Sequence, residues 1–212
     1  MIAPQCSLSL NPSMLYWLLR SFVGIIELMT FLIIHGIGGY AGIHWQQWLK
    51  ERLEYQGHSI LMPEMPNPNL PDRNDWLQKV KETVAGIDIS QLIIVGHSLG
   101  VTTALDYIEQ LTKQIHGLVS VSGFASNYGS ELNGYFLRLK QIDFEKVRLN
   151  IKRAAVLYGD NDPYVTQNAL EEIANNLGVN AHIIKNGGHL NSESGFSSFK
   201  LLLDVINSEI LT

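Results

Sequence analysis

Six short apolar runs recur from Thr30 onward: Phe31–His35, Ser59–Met62, Leu92–Val95, Gly117–Val121, Ala154–Tyr158 and Ala181–Ile184. Each has strand length and carries aliphatic residues on both faces, as a strand does when helices cover it on both sides. Helical patterns separate them. Ile43–Tyr55 sets Trp45, Trp48, Leu49 and Leu53 on one stripe, and Asn74–Ala85 sets Leu77, Val80 and Val84 on another. Leu99–Leu111 aligns Thr102, Leu105 and Ile108, and Thr166–Leu177 aligns Ala169, Leu170 and Ile173. A last helix is expected over Ser197–Asn207. Alternation of β and α predicts the α/β class: a doubly wound, mostly parallel six-stranded sheet with right-handed crossovers. The proline-rich "MPEMPNPNLP" (Met62–Pro71) reads as a loop, because proline removes donors and fixes φ; a rigid strand-to-helix connection is expected ahead of a role in lining the cleft.

The 212 residues suit one domain, and 46% apolar against 17% charged residues marks a folded globular chain. A net charge of −5 and the lack of a basic cluster exclude an electrostatic footprint for nucleic acid. Cys6 is the only cysteine, which fits a reducing, cytoplasmic setting. The seven histidines show no H-E-x-x-H or C-x-x-C companion, so no metal site and no cofactor are expected.

Met14–Ile34 is apolar apart from Arg20 and Glu27. Its end, "TFLII", belongs to the first strand, and the remainder is short for a bilayer span. No Lys or Arg precedes Arg20, so the basic n-region of a signal peptide is missing. Leu15, Leu18, Leu19, Phe22, Val23 and Ile26 fall on one helical stripe. Residues 1–28 therefore read as an apolar extension outside a core domain of residues 29–212. Three placements stand open for it: the sheet edge, a membrane surface contacted through residues 14–28, or an upstream stretch not normally translated. The last is the expectation.

In a doubly wound sheet, ligands bind beyond the carboxyl ends of the strands. Ser98 lies there, in "VGHSLG", flanked by Gly96 and Gly100. A sharp strand-to-helix turn crowds both flanking positions, which is why they need residues without bulk. The helix behind aims its N-terminal N–H groups at the same spot. An N-cap serine is the plainer reading of the pentapeptide alone. A nucleophilic serine, however, needs a base, and His189 in "IIKNGGHL" follows the last strand. The histidine needs an orienting carboxylate, and "VLYGDNDPYV" after the fifth strand offers Asp160 and Asp162. Asp162 is assigned to catalysis and Asp160 to the turn. The order Ser98, Asp162, His189 is that of an α/β-hydrolase triad. Backbone N–H groups of Leu99 and of Ile37, in the loop "HGIGGYAG", are expected to form the oxyanion hole, with Gly38 as second choice for the latter.

The same loop supports a rival reading. "GIGGYA" (Gly36–Ala41) fits the dinucleotide fingerprint G-x-G-x-x-A, and Glu64 lies where a ribose-binding acid would sit. That reading leaves Ser98, Asp162 and His189 unexplained. A binding or scaffolding protein with an idle triad is the other alternative to an enzyme.

The chain resembles the compact serine hydrolases typified by retinoblastoma-binding protein 9, within the α/β-hydrolase superfamily. The likeness runs from about Met29 to the C-terminal helix. It rests on "HWQQWLKERLE", "PEMPNP", "IIVGHSLG", "GYFLRLKQIDFEKVRLN", "YGDNDPYV" and "NGGHLN". It implies a six-stranded sheet without a cap domain and places nucleophile, acid and base on Ser98, Asp162 and His189. The chain has no L-x-C-x-E, so the pocket-protein partner of that family is not carried over. Residues 1–28 have no counterpart in the family pattern.

Between Val121 and the fifth strand, Ser122–Lys152 has room only for a loop and one or two short helices. An open cleft is expected, partly walled by Tyr128, Tyr135 and Phe136. It would admit a small-molecule acyl substrate: a small or moderate ester, amide or thioester, cleaved through an acyl-enzyme.

Overall fold

The computed structural model describes residues 27–212. The expected extension over residues 1–28, with its amphipathic stripe and membrane contact, lies almost wholly outside the described residues. Among the described residues, no helix is long and apolar enough to cross a membrane.

The strands are β1 (Thr30–Ile34), β2 (Ser59–Leu61), β3 (Leu92–His97), β4 (Ile115–Val121), β5 (Ile151–Gly159) and β6 (Ala181–Ile184). They form one sheet in the order β2-β1-β3-β4-β5-β6, and every neighbouring pair is parallel. The helices are α1 (Gln46–Tyr55), α2 (Arg73–Thr83), α3 (Leu99–Ile108), α4 (Gly134–Leu137), α5 (Phe144–Leu149), α6 (Gln167–Leu177) and α7 (Lys200–Val205). A π-helical turn, Ile206–Ile210, continues α7. The interval after β4 holds two short helices, α4 and α5, and no cap domain.

Both faces of the sheet are covered, which explains strands without polar alternation: all six positions of β3 are buried. On one face α2, α3, α5 and α6 pack Trp76, Val80, Leu105, Val147 and Ile173 against the strands. On the other, Trp45, just before α1, packs with Leu49 and Leu53 of α1 and Leu202 of α7. The apolar stripes of the helices are the residues that meet these faces. Helix α1 opens at Gln46 rather than Ile43, because His44 takes a positive φ of 60° and the preceding residues form turns. Strand β3 extends to His97, so its end runs directly into Ser98.

The chain leaves β2 on one side of β1 and resumes in β3 on the other. This reversal opens a crevice beyond the carboxyl ends of β1 and β3.

A buried ion pair fixes the segment between β4 and β5 against the helical layer. Arg73 and Asp106 are 4% and 1% exposed. Arg73 Nε and Nη2 donate to the two Asp106 oxygens at 2.6 and 2.9 Å. Arg73 Nη1 donates to the carbonyls of Phe136 and Lys140 at 3.0 and 2.9 Å, tying α4 to α2 and α3. Removing Arg73 would leave the buried Asp106 carboxylate with only the partly exposed Lys140 ammonium, 3.2 Å away, as counter-charge, and would strip the Phe136 and Lys140 carbonyls of their donor. Arg73→Ala should therefore cost about 3–5 kcal/mol in urea unfolding. A loss below about 1 kcal/mol would show that the pair is as dispensable as a surface one.

Candidate active site

Ser98 stands between β3 and α3 with φ 54° and ψ −125°. A non-glycine residue held there is strained by about 1–3 kcal/mol. The turn is possible because its flanks are bare. A Cβ on Gly100 would lie 2.5 Å from the Ile34 carbonyl oxygen, and one on Gly96 would lie 2.9 Å from the Val101 backbone. Ser98 is 5% exposed and lines a cleft of about 250 Å³.

The loop after β1 abuts the serine directly. A Cβ on Gly36 would come within 2.9 Å of Ser98 Cβ. The Gly36 carbonyl accepts from His35 Nδ1 at 2.8 Å and from Gly39 N at 3.2 Å. In a trans peptide the carbonyl and the following N–H point in opposite directions. Holding Gly36 O therefore fixes the direction of the Ile37 N–H, which has no backbone partner among the described residues. The Leu99 N–H is the first of α3 and has no partner within its helix. The Gly38 N–H is already committed, donating to Pro68 O at 2.7 Å.

His189 and Asp162 meet on the far side. His189 Nδ1 lies 2.7 Å from Asp162 Oδ2, with the Asp162 side chain fully buried. The other Asp162 oxygen accepts the Tyr164 and Val165 N–H groups at 2.9 and 3.0 Å. Asp160 points elsewhere and accepts the Asn186 N–H at 2.7 Å. Among the described residues no hydrogen bond joins Ser98 Oγ to His189, although both line the cleft. Such contacts often tighten only when substrate arrives.

The sequence profile of the serine hydrolase family matches residues 31–208. The chain belongs to the serine hydrolase family. A Bacillus subtilis protein named as a hydrolase, YdeN, is 31% identical over 179 residues, covering 83% of this chain and 93% of its own. The serine hydrolase RBBP9 of Rattus norvegicus is 30% identical over 176 residues, covering 81% of this chain and 89% of its own. The crystal structure of the B. subtilis ydeN gene product superposes with a TM-score of 0.79 at 28% identity. It spans 85% of this chain and 97% of that one. This serine hydrolase is thus an enzyme with the α/β-hydrolase fold.

Two expectations need correction in this serine hydrolase. Tyr128, Tyr135 and Phe136 do not line the cleft beside Ser98; Leu132 and Asn133 of the same segment do. Phe136 is fully buried against Trp76, Tyr135 Oη donates to Pro71 O at 3.1 Å, and Tyr128 packs edge-on against Phe124. Phe136 is drawn into the core and the two partly buried tyrosines pack against its edge, because aromatic rings bury the most apolar surface. The dinucleotide reading of Gly36–Ala41 also falls. No helix opens at the third position of the fingerprint, since α1 begins only at Gln46. Glu64, its candidate ribose acid, accepts the Ala41 N–H at 3.1 Å instead.

Some supporting contacts carried no sequence signal. Met62–Pro71 does more than connect β2 to α2. It meets the β1 loop through Glu64, through Pro68 O, and through the Met65 N–H, which donates to His35 Nε2 at 3.2 Å. That last bond leaves the His35 proton on Nδ1, where it holds Gly36 O. Asn133, 4% exposed, donates from Nδ2 to Tyr128 Oη at 3.1 Å, while its Oδ1 is buried without a partner among the described residues.

Four histidines are held neutral in the fold. Burial pushes His35, His44 and His58 below the usual histidine value, and pushes His97 well below it. The nearby His189 acts in the same direction on His44 and His97. In the unfolded chain all four titrate near 6.5. Between that value and the lower folded values, the unfolded state binds more protons, so stability rises with pH across this window. It is fully present above about pH 6.5 and is lost on acidification below it. The urea midpoint should therefore fall between pH 7.5 and 5.5. A midpoint that stays constant over that range would contradict this account.

Proposed function

We propose that this serine hydrolase cleaves small or moderate acyl esters, amides or thioesters through an acyl-enzyme, with Ser98 as nucleophile, His189 as base and Asp162 as the orienting acid. The observation that carries the reading is the 2.7 Å His189–Asp162 pair, facing the strained Ser98 turn across one cleft. His189 Nε2 takes the Ser98 hydroxyl proton as Oγ attacks the acyl carbon. The oxyanion then develops between the N–H groups of Leu99 and Ile37. His189 returns the proton to the leaving group, and a water repeats the cycle in reverse order. Asp162 stabilises the imidazolium that forms in each half-reaction.

The cleft supports a small substrate. Its volume of about 250 Å³ falls below the roughly 300–1,000 Å³ typical of drug-sized ligands. Ile37, Ile43, Leu132 and Val165 give it an apolar wall, which suits an aliphatic acyl group. A cytoplasmic site of action is part of this reading, supported by the single cysteine.

A panel of p-nitrophenyl esters of increasing chain length, with matching thioesters and aryl amides, tests the substrate class. Short and medium acyl esters should give the highest kcat/KM, with a decline once the chain outgrows the cleft. Highest turnover on long-chain esters, or turnover of none of the panel, would overturn it.

A further inference from the structure

The loop that carries His189 is gripped from behind by ring nitrogens that the chemistry above does not use. His97 Nε2 lies 3.0 Å from the His189 carbonyl oxygen. A carbonyl only accepts, so Nε2 carries the proton. Trp45 Nε1–H donates to the next carbonyl along, that of Leu190, at 2.9 Å. Farther along, the Ser192 N–H donates to His44 Nδ1 at 3.2 Å. Two of these rings belong to the "HW" that precedes α1, and the third adjoins Ser98 in the chain.

Leu190, between the anchors, has a φ of +50°. A branched side chain adopts that region only where its surroundings over-determine it. Here the side chain is fully buried in the layer that holds Trp45, Phe199 and Leu202. The rings are packed closely, with centroids of His97 and His189 5.0 Å apart and those of Trp45 and His97 5.9 Å apart. His97 is 3% exposed, and burial keeps it neutral, so its donor stays on the same nitrogen.

We propose that His97 and Trp45 are positioning residues for the catalytic base: their N–H groups fix two successive carbonyls, His189 O and Leu190 O, and so aim the His189 imidazole at Ser98 while Nδ1 stays on Asp162. The proposal rests on the reading of His189 as base. His97 links the nucleophile turn to the base loop within one residue of Ser98. Trp45 stops the left-handed Leu190 from relaxing and carrying His189 away.

The test uses the full chain and an activated aryl ester. Trp45→Phe keeps an aromatic ring in the core, removes the donor and leaves the space of the second indole ring, a packing loss that the His189→Ala background below separates from loss of aim. It should lower kcat by roughly tenfold with KM within about twofold, since a misplacement of about 1 Å already costs up to ~100-fold. His97→Leu should lower kcat more, and His97→Gln, which restores a side-chain N–H, should recover part of the loss. In a His189→Ala background, Trp45→Phe should cause no further loss, because the group being aimed is gone. An equal fractional loss in both backgrounds would mean a merely structural role and overturn the proposal. So would an unchanged kcat in Trp45→Phe. If His97→Leu does not fold, the two Trp45→Phe measurements decide alone. If His189→Ala itself keeps full turnover, the base assignment fails rather than the clamp.

Discussion

Replacing Ser98 with alanine should abolish covalent labelling by a fluorophosphonate and lower ester turnover by roughly 10⁶-fold, to the level left by binding and the oxyanion site. The serine stands in a strained turn at the end of β3, with Gly36 packed against its Cβ and the first N–H of α3 beside it. A serine that merely capped the helix would lose about 1 kcal/mol of stability and no activity. No side-chain cap bond from Ser98 to α3 exists in the fold, so even that smaller effect has little to act through. His189→Ala should be about as damaging, because groups that act as a unit fail together. Retention of labelling and esterase activity in Ser98→Ala would remove the nucleophile assignment outright.

The second large effect is expected at Asp162. Asp162→Asn should lower kcat by about 10⁴-fold, because an amide does not stabilise the imidazolium and favours the wrong ring tautomer. Folding should suffer little, since the amide oxygen still accepts the Tyr164 and Val165 N–H groups that Asp162 accepts now. Asp160→Asn offers the matched control. Its Oδ1 accepts the Asn186 N–H and nothing links it to His189, so the change should cost about 1 kcal/mol of stability and leave kcat within a few-fold. A greater kinetic loss at Asp160 than at Asp162 would exchange the two roles. Steady-state kinetics and urea unfolding on both variants separate the outcomes.

The strands and their contents are legible in the sequence for a simple reason. A sheet covered on both faces demands short uninterrupted apolar runs, and "FLII", "LIIV" and "AVLY" supply them. The alternation with helical stripes then leaves little choice but a parallel sheet, and a parallel sheet gathers all its strand exits at one end. Ser98, Asp162 and His189 each follow such an exit, so their convergence is a consequence of topology. Element ends were less legible. Nothing local announces that His44 takes a positive φ and delays α1, because the ring that fixes it answers to Ser192, 148 positions away in the chain.

What the sequence determined by itself is therefore the alternation, the layers, and which residues stand at the carboxyl ends of the strands. These follow from periodicity and chain order, which are local properties. The tertiary structure alone decided which side chains serve those residues. Arg73 finds Asp106, Met65 and Glu64 brace the loop that presents Ile37, His97 and Trp45 grip the backbone of His189 and Leu190, and Leu132 and Asn133 take the cleft wall from Tyr128, Tyr135 and Phe136. Apart from the cleft wall, which packing decides, each is a directional contact between single groups distant in the chain. Hydrogen bonds of this kind have no period and no composition, and they become defined only once packing has set distance and angle.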